Sequence, residues 1–132
     1  MGKRIDGKEI ALEIKEEIKE FVNKRKENNL NVPKVASILV GNDGGSLFYL
    51  NNQEKVATSL GMEFEKVHLN EEVTEEELIN KIDKLNNDNT VSGIILQLPL
   101  PKHIDEKKVI SAISPKKDVD CLTFVNQGKL YM

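Results

Sequence analysis

The sequence predicts an α/β domain, a three-layer arrangement in which helices flank a mainly parallel sheet. Three observations predict it. Short apolar runs rich in β-branched residues alternate along the chain with segments of helical period. No repeat, low-complexity segment or internal linker interrupts that alternation. The 132 residues, 39% hydrophobic and 31% charged, suffice for one domain with a core of its own.

Taken in order, Lys8 to about Asn28 repeats Ile10, Ile14, Ile18 and Phe21-Val22 at helical spacing, with Glu and Lys between. This is a long amphipathic helix, expected to bury one stripe. Val35–Val40 follows Pro33 and stops at Gly41, which reads as a strand buried on both faces. After the loop Gly41-Asn42-Asp43-Gly44-Gly45, a second helix runs from about Ser46 to Leu60, and Gly61 is placed to end it in a left-handed cap. Met62–Leu69 has the mixed alternation of a strand near a sheet edge. Thr74-Glu75-Glu76-Glu77 reads as a capping box, with Leu78, Ile79, Ile82 and Leu85 facing inward behind it. Val91–Gln97 is another buried strand, ended by Pro99 and Pro101. Asp105 can cap a short helix containing Val109, Ile110 and Ile113, stopped by Pro115. From Asp118 on, the sequence predicts an irregular tail.

Several function classes recede on composition. A formal net charge of −3, with lysines dispersed among glutamates, argues against nucleic acid. No apolar run has the length of a membrane span. Met1–Asp6 holds the basic pair Lys3-Arg4 with no apolar stretch behind it, so no secretory signal is predicted. Asp6 stands where a myristoylation motif after Gly2 wants Ser or Thr. The single cysteine, Cys121, excludes an internal disulfide and points to a reducing, cytoplasmic compartment. His68 and His103 have no ligand-like spacing and read as surface or strand residues, so no metal is expected.

Ligands of parallel α/β sheets gather at the carboxyl ends of the strands, here Gly41–Ser46, Gln97–Pro101 and Asp118–Asp120. Tyr49, one turn into the second helix, either covers the core edge or offers an aromatic face and hydroxyl to a planar ligand. In Gln97-Leu98-Pro99-Leu100-Pro101 a polar amide closes an apolar strand and two prolines stiffen the backbone beyond it. That is either a plain strand exit or a rigid edge aimed at a ligand. Asp118 and Asp120, flanking Val119, would point the same way in extended backbone. The glycine-rich loop matches neither phosphate-loop nor dinucleotide spacing.

In combination and in order, Ile5-Asp6-Gly7-Lys8, Val40-Gly41-Asn42-Asp43 with Ser46 and Tyr49, Gly93–Pro101 and Lys116-Lys117-Asp118-Val119-Asp120 resemble the bifunctional methylenetetrahydrofolate dehydrogenase/cyclohydrolase family. So does Asn126-Gln127-Gly128-Lys129-Leu130. The resemblance is to its N-terminal catalytic domain and covers essentially the whole chain, residues 1–132, with a tail from about 121. It implies a folate site: Tyr49 stacking on the pterin, Asp120 bonding its amino-pyrimidine edge, Gln97 supporting a catalytic lysine, and Leu98, Pro99 and Leu100 beside the substrate. It further implies NAD or NADP as hydride acceptor, bound by a nucleotide-binding domain that these residues do not include. The fragment alone is then expected to lack dehydrogenase turnover, to expose an apolar patch and to self-associate through it.

Two residues depart from the family pattern. The motif is Tyr-x-x-x-Lys, yet the fourth residue after Tyr49 is Gln53, and Lys55 lies roughly 200° around the helix from Gln53. Without a basic amine, the cyclohydrolase step is expected to be lost or strongly reduced. Cys121 stands where the family has glycine. If that position needs a positive φ, cysteine strains it. The rival readings are a non-catalytic folate-binding module and a remnant domain without a ligand.

Overall fold

Three parallel strands in the order β2-β1-β3 form the centre of the computed structural model, which describes residues 6–131. The readings made on Met1–Ile5 lie outside the described residues. β1 (Lys34–Val40) is the middle strand, and β2 (Glu63–Leu69) and β3 (Gly93–Leu96) are its neighbours. Alternation along β1 divides the domain. Ala36, Ile38 and Val40 face one side, where they join Val67, Ile94 and Leu96 in the main core. Helices α3 (Glu75–Asn86) and α4 (Glu106–Ala112) supply Leu78, Ile82, Leu85 and Val109 to that core. Val35, Ser37 and Leu39 face the other side, toward α2 (Gly44–Ser59).

β3 is shorter than the predicted Val91–Gln97, but its ends stay tied to β1. The Ser92 N–H donates to Lys34 O at 2.8 Å and the Gln97 N–H to Ile38 O at 2.9 Å. The Gln97 backbone is thus fixed beside the central strand. α2 begins two residues before the predicted Ser46, because Asp43 caps it by accepting from the Ser46 N–H (3.0 Å) and hydroxyl (2.9 Å). It closes as predicted at Leu60, with Gly61 at φ 81°. A β-carbon on Gly61 would lie 3.1 Å from both Val22 Cγ1 and Lys26 Nζ, so α1 (Gly7–Glu27) crosses α2 there.

The stripe expected to be buried on α1 is open. Val22 is fully buried, but Ile10, Ile14 and Phe21 are about half exposed (45%, 52% and 54%). Helical period establishes that a face is apolar, and it does not say what covers that face. Thr74 accepts from the Glu77 N–H at 3.1 Å, which is half of the predicted capping box. The acidic partner that does more is Glu75. Its carboxylate accepts from the Asp105 N–H at 2.8 Å and pairs with Lys108 at 3.2 Å, tying α3 to the start of α4.

The predicted irregular tail is a helix, α5 (Phe124–Tyr131). Asp118 builds its start by accepting from the Leu122 and Thr123 N–H groups, both at 2.9 Å, and from the Asn126 carboxamide at 3.0 Å. The Thr123 hydroxyl, 3% exposed as a residue, accepts from the Asn126 N–H. Just before it, Lys117 Nζ donates to Leu85 O (2.9 Å) and Asp88 O (2.8 Å) at the end of α3. No helix among the described residues is long and apolar enough to cross a membrane.

Candidate functional site

Tyr49 and Gln53 are four residues apart on α2 and therefore share a face. Together with Val56 they form one wall of a groove of about 310 Å3 whose other wall is Val35, Phe64 and Ile95 of the sheet. The lining is mostly apolar, with Asn52, Gln53 and the Tyr49 hydroxyl as its polar members. Tyr49 is 59% exposed at its mouth, so its ring is free to present a face to a ligand.

Behind Gln53 lies a closed triangle of neutral hydrogen bonds. The Ser37 hydroxyl donates to Gln53 Oε1 at 3.1 Å. Gln97 Nε2 donates to Ser37 Oγ at 3.0 Å and to Gln53 Oε1 at 3.1 Å. The structure thus brings three elements together on the two predicted residues Gln53 and Gln97, and adds Ser37, which the sequence reading missed. Its one signal was a hydroxyl inside an otherwise apolar strand.

Leu98, Pro99 and Leu100 are not in this groove. Pro99 and Leu100 border a second hollow of about 380 Å3 with Gly41, Asn42 and Asp43, and Leu98 is 39% exposed. The Leu100 side chain belongs to the core, and its N–H donates to Glu106 Oε2 at 2.9 Å. These contacts anchor the segment.

The two aspartates do not act as the pair that extended backbone would make. Asp118 bridges Ile94 in parallel, but Val119 and Asp120 turn away. Burial pushes the Asp118 carboxyl up, and the Thr123 and Leu122 N–H groups with the Asn126 amide outweigh it, holding the group below its ordinary 3.8. Asp118 is committed to starting α5, whereas Asp120 is exposed. Val119 lies over Gly93, where a β-carbon would meet Val119 Cγ1 at 2.6 Å. Gly93 and Ile95 share a sheet face, so the turn bearing Asp120 stands on the groove's side of the sheet. Cys121 closes that turn at φ 58°.

His68 and His103 are set against backbone carbonyls, of Gly41 (2.6 Å) and Val73 (2.9 Å). Among the described residues no group of three potential ligands could hold a metal. The glycine-rich loop does not fit a cofactor phosphate either. The Asp43 carboxylate sits at the N-terminus of α2, held below its ordinary value by the Ser46 N–H and hydroxyl, and fills the place an anion would take.

The profile of the tetrahydrofolate dehydrogenase/cyclohydrolase catalytic domain matches residues 5–120. The chain belongs to that family. A bifunctional protein FolD of Clostridium beijerinckii is 66% identical over 132 residues, covering 100% of this chain and 47% of that protein. The FolD of Clostridium botulinum strain Eklund 17B is 65% identical with the same coverage. The chain therefore spans about half the length of the curated relatives it matches. Among solved structures, the Trypanosoma brucei methylenetetrahydrofolate dehydrogenase-cyclohydrolase, complexed with NADP and an inhibitor, superposes with a TM-score of 0.91 at 34% identity. The alignment covers 99% of this chain and 44% of that one. The silkworm 5,10-methylenetetrahydrofolate dehydrogenase gives 0.89 at 37%, covering 98% and 45%.

Family membership gives the triangle its meaning. Gln53 stands on the helix face where the resemblance places a lysine, and a carboxamide has no basic amine. Lys55, two residues on, is exposed and takes no part in the groove's lining.

Proposed function

We propose that this chain, residues 1–132, is the folate-binding catalytic domain of a methylenetetrahydrofolate dehydrogenase whose cyclohydrolase step is lost or strongly reduced. The pterin lies against the Tyr49 ring at the mouth of the groove, with Gln97 and Gln53 along one edge. Asp120 receives the amino-pyrimidine edge, since an exposed carboxylate on the groove's side of the sheet can accept from two adjacent N–H donors. Leu98 and Pro99 flank the ligand on the rigid segment that Leu100 anchors. In the whole protein the bridge carbon of methylenetetrahydrofolate is oxidised to the methenyl level, with NADP or NAD as acceptor. The residues of this chain supply only the folate side.

One observation carries the loss of hydrolysis. Water addition to the methenyl bridge needs a group to take up a proton, and the side chain at that place is the non-basic Gln53, its carbonyl already engaged by Ser37 and Gln97. The test is a chimera of this chain with the remaining part of the Clostridium beijerinckii relative. It should reduce a nicotinamide cofactor with methylenetetrahydrofolate yet leave methenyltetrahydrofolate hydrolysing at the buffer rate. Gln53→Lys should raise hydrolysis by about a hundredfold or more, the usual contribution of a general base. Rapid methenyl hydrolysis with Gln53 in place would refute the reading.

A further inference from the structure

Gly93 opens β3 and is buried. It does not share the positive φ of Gly41 and Gly61, so its own backbone does not call for glycine, and glycine inside a strand costs stability relative to alanine. What calls for it is space. Among the described glycines it is the one where an added β-carbon would come closer than 3.0 Å to another atom, 2.6 Å from Val119 Cγ1. Val119 Cβ stands 3.8 Å from the same point, an ordinary van der Waals distance. A branched side chain has little freedom to turn aside from such a contact. Glycine within a strand marks the close approach of another segment, here the turn that carries Asp120.

That turn has firm ends. Before it, the Ile94 N–H donates to Lys117 O at 2.7 Å and Asp118 bridges Ile94. After it, the Asp118 carboxylate holds the Leu122 and Thr123 N–H groups, both at 2.9 Å. Between these ends Val119 lies on the bare backbone of Gly93 while remaining 55% exposed. Lifting Val119 by the width of a methyl group would carry Asp120, the next residue, with it, because the ends cannot follow.

We propose that Gly93 is a positioning residue: its missing side chain is the seat of Val119, and that seat sets the height at which Asp120 presents its carboxylate on the groove's side of the sheet. Gly93 touches no ligand and acts through Val119. The consequence for binding rests on the folate reading above, in which Asp120 receives the amino-pyrimidine edge. The seat itself rests on geometry alone. Hydrogen bonds from two adjacent N–H donors to one carboxylate tolerate little displacement, so a shift smaller than a methyl group weakens them.

Tetrahydrofolate titrations of the 132-residue chain and its variants test the proposal. Gly93→Ala should weaken binding about tenfold or more. Gly93→Ala/Val119→Ala should recover the affinity to within about threefold of the parent, because the methyl group gained at residue 93 fills the place that Cγ1 leaves and meets the residue 119 β-carbon at 3.8 Å. In the Gly93→Ala background Asp120→Ala should cost little more, the non-additivity of residues that act through one another. A purely structural glycine would give neither the rescue nor the coupling. Unchanged affinity in Gly93→Ala overturns the proposal, as does a loss that Val119→Ala leaves in place, or a full further loss on Asp120→Ala. If Gly93→Ala alone does not fold, the double variant decides: it must fold and bind. If the parent chain binds no tetrahydrofolate, the folate reading fails and NMR still decides the seat. A strong nuclear Overhauser contact between the Gly93 α-protons and a Val119 methyl group supports it, and the absence of that contact overturns it.

Discussion

Cys121 and Asp118 lie three residues apart, one strained and one stabilising. Cysteine at φ 58° occupies a region that non-glycine residues enter at a cost of about 1 kcal/mol or more. Cys121→Gly should therefore stabilise the chain by about 1 kcal/mol, a rise in Tm of a few degrees in a thermal melt. A fall would show that the thiol makes a contact worth more than the strain. Asp118 has its folded pKa below the ordinary 3.8, so its contribution is present above that value and is lost as pH falls through the folded one. Acid titration of the parent should show α5 loosening below about pH 4, and Asp118→Asn should remove that component. Among the site residues, Tyr49 was legible from its place early in the second helix after the glycine-rich loop, Gln97 from ending an apolar run, and Gln53 only from the family motif that the sequence resembles. Ser37 was not, because a small hydroxyl in a buried strand looks like filler until its partners on α2 and β3 are in place. The Asp118–Asp120 pairing failed because it assumed extended backbone through Val119.

Elements were read from two signals, period and punctuation, and each failed where a partner decides the outcome. Gly61 ended α2 and Asp105 began α4 because those caps are local. α5 was missed because its start depends on Asp118 folding back onto the Leu122 and Thr123 N–H groups. The apolar periods of α1 and α3 look alike in sequence, yet Ile82 is fully buried and Ile14 is 52% exposed. Denaturant unfolding separates them. Ile82→Ala should cost about 3 kcal/mol, and Ile14→Ala should stay within about 0.5 kcal/mol. Equal losses would mean that Ile14 is covered in solution.

For the whole molecule, the order of strands and helices puts the groove, the Gln97 strand end and the Asp120 turn on one side of the sheet, while the main core packs on the other. That division explains how one face can stay apolar and open without weakening the interior. In the proposed reading, a chain spanning 47% of its relatives' length carries its folate-side residues on α2, the end of β3 and the turn at Asp120. The fold class was plain from alternation of strand and helix. What the sequence could not give was the wall formed by Val35, Phe64 and Ile95, since it exists only once three separated segments share a face.

The most direct test of the central claim, that the folate site is formed within these residues, is a calorimetric titration of the 132-residue chain with tetrahydrofolate. Saturable one-to-one binding, weakened about tenfold or more by Tyr49→Ala and by Asp120→Ala, is the predicted result. Heats no larger than dilution, or binding that neither substitution changes, would contradict it.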